Sequence, residues 1–124
     1  TFTMQTLQNE MPATLAEVKV PYVDYNNQST ILYSDDYMFL PAEKEVFGTR
    51  SYSPTTEADE LTQFAYYKNG GSKIKSPYGG SATSWWLRSV DSYNSDYFCF
   101  VNSLGGASYN VASSSRGAAP CFCV

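Results

Sequence analysis

Three cysteines, Cys99, Cys121 and Cys123, are the residues with the clearest chemical potential, because a thiolate is both a nucleophile and a metal ligand. The sequence contains no histidine, so neither a Cys-His nor a Ser-His nucleophile can form. No Cys-x-x-Cys pair is present, which disfavours a metal site. Cys121 and Cys123 alternate around Phe122, as inward residues of a strand do, so we expect small buried hydrophobic residues in a reduced protein. An enzyme is not expected.

The adjacent carboxylates Asp35 and Asp36 could contribute to a calcium site. Calcium needs six to eight oxygen ligands, and the neighbouring sequence offers too few. We therefore interpret the pair as part of a solvated turn, and we predict neither a metal nor a cofactor.

Length, charge and hydrophobicity restrict the class of protein further. The 124 residues suit one domain, residues 1–124, that is soluble and has its own core. A net charge of −4 argues against nucleic-acid binding. Membrane insertion is not expected, because the sequence has no apolar run of the roughly 20 residues that a membrane-spanning helix needs. The chain starts without an initiator Met or a signal-peptide pattern, so we expect a fragment or processed product with a truncated N-terminal end.

The stretch from Ser89 to the C-terminus has an unusual composition. It contains no Lys, Glu, Gln, Met or Trp and is rich in Tyr, Ser, Asn and Gly. Tyr supplies large contact area at low entropic cost, and the small polar residues supply adaptable hydrogen bonds, as in antibody loops. The predicted ligand-contacting residues are Tyr93, Asn94, Asp96, Tyr97, Phe100, Asn102, Tyr109 and Asn110. The alternative is a polar, turn-rich meander that binds nothing.

Alternation along the predicted strand assigns its side chains to two faces. If Cys99 and Val101 face the core, Phe98 and Phe100 share the other face with Asn102. Two exposed Phe residues would form an apolar patch typical of interaction sites, although both could instead pack beneath a loop.

The adjacent residues Trp85 and Trp86 point to opposite faces of a strand, so one is expected in the core and the other over a loop. Arg88 is interpreted as a structural partner of carbonyls or a carboxylate rather than as a ligand contact. These three residues are predicted to be structural.

The elements that position these residues are read from periodicity. Met4, Leu7 and Met11 follow helical spacing, and Val18, Val20 and Val23 suggest extended chain. In the first forty residues we predict a helix at about 3–11, a strand at 18–23, a turn at 26–29, and a strand at 37–40 that follows a turn at 34–36.

The remaining chain is predicted to hold two helices and then an antiparallel meander. Pro41 is placed in the first helical position and Gly48 at the stop of the first helix. The other predicted elements are a loop at 49–56, a helix at 57–68, a loop at 72–84, and strands at 85–88, 97–102, 107–111 and 118–124. Helices first and strands later indicate an α+β domain, with short helices packed on a twisted antiparallel sheet.

Several strings resemble the DUF6273 family. They are WWLRS at 85–89, YFCFVNS at 97–103, SRGAAPCFCV at 115–124, YMFLPAEKEVFG at 37–48 and YYKNGGS at 66–72. The first helix also resembles one of that family, so the resemblance covers nearly the whole chain.

The resemblance implies a C-type-lectin-like fold, similar to the variable proteins of diversity-generating retroelements and to phage receptor-binding tips. Those retroelements mutate adenines, which would produce the residue set seen after Ser89. We therefore expect a ligand-binding or adhesion domain on a phage virion or bacterial cell surface, with a cell-surface protein or glycan as partner. The alternative is a structural or assembly module of a phage particle or surface complex. A homo-oligomer is also considered.

Overall fold

The computed structural model describes residues 15–123, so the helix predicted at 3–11 lies outside the described residues. Within this range the chain forms an α+β arrangement of short helices and antiparallel strands. In chain order these are β1 (Val18–Asp24), β2 (Asn27–Asp36), α1 (Glu43–Phe47), α2 (Thr55–Asp59), α3 (Ala65–Lys68), β3 (Trp85–Val90), β4 (Tyr97–Val101) and β5 (Ala107–Val111).

β1 and β2 form an antiparallel hairpin whose pairing runs from Val18 opposite Asp36 to Asp24 opposite Asn27. The turn is therefore Tyr25–Asn26. The turns predicted at 26–29 and 34–36 are wrong, because residues 27–36 belong to β2. Asp35 and Asp36 fit in β2 because most side chains of this strand are exposed or only half-buried.

The segment after the hairpin also differs from the prediction. Residues 37–40 do not form a strand, and their only bridge within the described chain joins Phe39 to Cys121.

β3, β4 and β5 form the predicted antiparallel meander, with β4 in the centre. The predicted bounds of β5 match the structure. The strand predicted at 118–124 is wrong, because the described part of this segment makes isolated bridges to different partners. They join Cys121 to Phe39 and Cys123 to Ala16, and Gly117, just before this segment, bridges Trp85. The closing segment thus connects separate parts of the fold instead of extending one sheet.

Helix α1 ends as predicted, at Gly48, whose positive φ of 78° suits a residue without a side chain. Its N–H donates to the Lys44 carbonyl at 2.8 Å. Pro41 lies before the N-cap residue Ala42 rather than in the first helical position, which Glu43 occupies.

The single helix predicted at 57–68 is wrong, because α2 and α3 are separated by residues 60–64. The side-chain amide of Gln63 donates to the Val46 carbonyl at 2.9 Å, and the Phe64 N–H donates to the Glu45 carbonyl at 2.8 Å. These two bonds hold the chain against α1, and that contact outweighs local helix propensity.

The hydrophobic core lies between the helices and one face of the meander. It contains Val46, Tyr67, Trp85, Leu87, Cys99 and Val101. The expected inward direction of Cys99 and Val101 is confirmed, since both are fully buried.

A fully buried carboxylate, Glu43, holds the loop between α1 and α2. It accepts hydrogen bonds from the backbone N–H groups of Ser51 and Ser53 at 2.8 and 3.1 Å, and from the Ser53 hydroxyl at 2.8 Å. The Tyr52 N–H donates to the same carboxylate at 3.2 Å. A buried charge is stable only when hydrogen bonds replace its hydration, and these donors do so.

Arg88 connects β3 to three other parts of the chain. Its Nε donates to the Pro21 carbonyl and its Nη1 to the Leu40 carbonyl, both at 2.9 Å. Nη1 also forms an ion pair with Glu45. The next residue, Ser89, accepts a hydrogen bond from the Glu43 N–H at 2.9 Å. Two adjacent strand residues therefore fix the hairpin, the segment before α1, and α1 itself.

Glu57 is a second buried acid, on α2. Burial raises the pKa of its carboxyl to about 7, while the neighbouring Ser89 hydroxyl and Arg88 guanidinium oppose that shift and Glu45 and Glu43 add to it. Its Oε1 has no hydrogen-bond partner within the described chain. The protonated form therefore suits this position better than the charged form.

We expect Glu43→Gln to destabilise the fold by roughly 3 kcal/mol, because an amide brings an N–H group against backbone donors and removes the charged acceptor. Urea denaturation measures this change. Glu17→Gln, at an exposed position, is the control and is expected to change stability by less than about 0.5 kcal/mol. Equal stabilities of the two variants would contradict the proposed role of Glu43.

Glu57→Gln should remove a pH-dependent contribution to stability. Between pH 4.5 and about 7 the folded protein keeps a proton on Glu57 that the unfolded chain has released. This contribution is fully present below that window and is lost as pH rises across it and through the folded pKa, by roughly 3 kcal/mol. Denaturation at several pH values should show the difference between wild type and Glu57→Gln changing across the window. An unchanged difference, as expected for exposed Glu60→Gln, would refute the assignment.

Candidate functional site

Two of the predicted contact residues, Tyr97 and Tyr109, lie side by side on β4 and β5. Tyr97 pairs with Val111, and Cys99 pairs with Tyr109, so both tyrosines project from the same face of the meander. Their ring centroids are 6.0 Å apart. This is the face that carries the core, and it becomes accessible where β5 forms the edge of the sheet.

Tyr52 completes the group, and sequence reasoning did not select it. Its ring centroid lies 4.8 Å from that of Tyr109. The Tyr52 carbonyl accepts hydrogen bonds from both the N–H and the hydroxyl of Ser92, each at 2.8 Å. No local signal marks Tyr52, because only the folding of the loop after α1 onto the meander brings it to this place.

Tyr93 follows Ser92 and lies on the loop that contacts Tyr52. It is 71% exposed, and Tyr109 is 40% exposed. We call the three neighbouring rings of Tyr52, Tyr97 and Tyr109, together with the exposed Tyr93 of the adjoining loop, the tyrosine surface. Their rings can contribute both apolar contact and hydrogen bonds from the hydroxyls to a partner.

Hydrogen bonds between its own residues stabilise the loop between β3 and β4. Asp91 is fully buried and accepts a hydrogen bond at 2.6 Å from the side-chain amide of Asn94. The Asn94 carbonyl accepts from the Tyr97 N–H at 3.2 Å. Asn94 therefore serves the loop, although it was predicted as a ligand contact.

Asp96, also a predicted contact, is exposed and lies in the turn just before β4. It lines a cavity of about 390 Å³ between the β1–β2 turn and the loop before β4, together with Asp24, Asn26 and Phe98. The structure thus places Asp96 in a separate depression.

The other two predicted amides lie elsewhere. Asn102, at the end of β4 opposite to Tyr97, accepts hydrogen bonds through Oδ1 from the N–H groups of Leu104 and Gly106 at 3.0 and 2.9 Å. Asn110 pairs with Phe98, so it projects from the face opposite to Tyr109. The eight predicted contacts therefore do not form one surface.

The predicted role of Phe100 as a ligand contact is wrong, because its side chain is only 6% exposed and cannot serve as a surface contact. Its ring packs edge-on against Trp86 at 5.9 Å, and the Arg116 guanidinium lies 3.6 Å from its centroid. The closing segment of the chain covers this ring, and that covering could not be read from strand alternation.

The structural residues of β3 have the expected surroundings. Trp85 is buried in the core, whereas Trp86 is half-buried on the opposite face beneath Arg116. Arg88 contacts two carbonyls and one carboxylate, which are the kinds of partner expected of it.

The three cysteines are free thiols in different surroundings. Burial raises the pKa of Cys99 far above its ordinary value, and burial also raises the pKa of Cys121. A raised pKa keeps a thiol protonated and poorly nucleophilic at neutral pH. Cys123 is exposed, so its predicted inward direction is wrong, because the closing segment is not a regular strand.

No cluster of three or more metal-ligating side chains occurs in residues 15–123. No helix among the described residues has both the length and the apolar character needed to cross a membrane.

The fold and the site together define the class of protein. It is an α+β domain with two antiparallel sheets and a surface of tyrosines at the edge of one of them. The chain belongs to the family described as "Domain of unknown function (DUF6273)", whose model matches residues 1–124. No curated protein matched the chain, and no solved structure matched it.

Proposed function

We propose that this chain is a non-catalytic recognition domain that binds a cell-surface protein or glycan through the tyrosine surface. The observation that carries the proposal is the group of neighbouring, tilted rings at the edge of β5, with the partly exposed Tyr109 between Tyr52 and Tyr97. Rings already packed against one another lose little further freedom when a partner binds.

The scaffold supports this role because the rings are attached to rigid parts of the chain. Tyr97 and Tyr109 belong to paired strands, and the loop carrying Tyr52 is held by the buried Glu43 carboxylate. Preorganised side chains of this kind favour recognition by complementary shape.

A C-type-lectin-like fold is part of the proposal, as is location on a phage virion or bacterial surface. The support is the combination of short helices, antiparallel sheets and a C-terminal segment without Lys, Glu, Gln, Met or Trp. The absence of catalysis is proposed because the sequence lacks histidine, and because burial raises the pKa values of two of its thiols.

An assembly module is the second candidate, since Leu104 is 85% exposed at the β4–β5 turn and Ile74 lies beside that turn. Exposed apolar side chains are typical of surfaces that contact another subunit. A homo-oligomer that persists at low concentration and covers the tyrosine surface would favour this function over free ligand binding.

The double variant Tyr93→Ser/Tyr109→Ser should lose binding to a panel of immobilised glycans and intact bacterial cells by at least about tenfold. Tyr33→Ser is the matched control, because Tyr33 is also exposed but lies on the β1–β2 hairpin. Tyr93→Ser is expected to change the unfolding free energy by less than about 0.5 kcal/mol, and Tyr109→Ser, which loses two ring contacts, by about 1–2 kcal/mol, so both variants stay folded. Binding unaffected by the double variant, or lost equally with Tyr33→Ser, would contradict the role of the tyrosine surface.

Diversification of the segment after Ser89 is proposed from its composition. The coding DNA should then lie near a reverse transcriptase gene and a near-copy of its 3′ end that differs only where the copy has adenines. Sequencing of the genomic neighbourhood measures this directly. Differences spread over all four bases would show that the residue bias has another origin.

A further inference from the structure

Positive charge is concentrated in one part of this acidic protein. Residues 61–90 contain Lys68, Lys73, Lys75 and Arg88 but no Asp or Glu. Arg88 is neutralised by Glu45, so the lysines dominate the local charge of this segment. Neither Lys73 nor Lys75 forms an ion pair with a residue in the described range.

Lys73 and Lys75 lie against aromatic rings instead of carboxylates. The Lys75 Nζ lies 5.3 Å from the Trp85 ring centroid and 5.6 Å from that of Tyr67. The Lys73 Nζ lies 5.8 Å from the Phe47 centroid. Cation–π contacts orient an ammonium group without cancelling its charge, so both lysines keep the capacity to attract an anion.

A cavity of about 290 Å³ lies beside Lys75 and Trp85. Its other lining residues are Ser76, Pro77, Thr83, Gly117, Ala118 and Ala119. Two of these supply hydroxyl groups, and the last three are small and leave the space open. At about 30 Å³ for each water, the cavity has room for a ligand the size of a single sugar ring.

Backbone hydrogen bonds frame the cavity. The Thr83 N–H donates to the Lys75 carbonyl at 2.9 Å, and the Gly117 N–H donates to the Ser84 carbonyl at 2.9 Å. A Cβ atom at Gly117 would lie only 3.3 Å from the Ser84 oxygen, so this close approach of two backbones favours glycine. Hydrogen-bonded backbone therefore supports the walls from which the Lys75 and Trp85 side chains line the cavity.

We propose that this cavity binds a small oxyanion, the carboxylate or phosphate group of a sugar-sized ligand, with Lys75 supplying the charge. The Thr83 and Ser76 hydroxyls donate to the remaining oxygens or to ring hydroxyls of the ligand. The site shares no residue with the tyrosine surface and does not depend on the proposed recognition function.

The test is calorimetric titration of the full chain with glucuronate, glucose 6-phosphate and uncharged glucose. At least one of the two anions should bind with a dissociation constant on the order of 1 mM, while glucose shows no saturation. The stronger of the two anions identifies whether the site prefers carboxylate or phosphate. No saturation by either anion up to about 50 mM, or equal binding of glucose, would overturn the proposal.

Variants assign the binding to the cavity. Lys75→Gln should weaken anion binding at least tenfold, while Lys19→Gln, which removes an exposed lysine on the hairpin, leaves it unchanged. Lys75→Arg keeps the charge and the aromatic contacts and should retain binding, which separates loss of charge from loss of folding. Ala118→Glu places a carboxylate at the cavity wall and should compete with the ligand. Equal anion affinities of Lys75→Gln and wild type would refute the site.

Discussion

The buried carboxylate of Glu43 is the constraint on which the arrangement of the helices and the meander depends. It lies in the first position of α1 and accepts hydrogen bonds from the backbone of Ser51 and Ser53, while its own N–H donates to Ser89 on β3. An unsatisfied buried charge costs several kcal/mol, so alternative packings that break these bonds are strongly disfavoured. The side chain and the backbone N–H of this one residue thereby join α1 to the loop that follows it and to β3, 46 residues further along the chain.

The same constraint connects the interior to the proposed binding surface. The loop held by Glu43 carries Tyr52, and Ser92 fixes the Tyr52 carbonyl from the other side. Tyr109 then packs against Tyr52 at the edge of the meander. The position of the exposed rings is therefore determined by buried polar contacts, which explains how an accessible surface can be preorganised.

Local sequence patterns correctly predicted those elements whose hydrogen bonds and packing repeat regularly along their length. The meander and the stop of α1 at Gly48 were found because alternation and glycine chemistry act over a few neighbouring residues. The predicted strand at 118–124 and the predicted helix at 57–68 failed for the opposite reason. In both segments hydrogen bonds to distant chain, at Cys121 and at Phe64, replace the regular local pattern.

The sequence by itself determined the α+β class, the inward direction of Cys99 and Val101, and the absence of Lys, Glu, Gln, Met and Trp from Ser89 onward, because composition and short-range periodicity carry that information. Only the tertiary structure decided which of those residues share a surface. Phe100 is covered by Arg116, Asn102 serves its own turn, and Tyr52 joins the tyrosine surface from a distant loop. Such neighbours are set by contacts between residues far apart in the chain, and spacing along a single strand does not contain them.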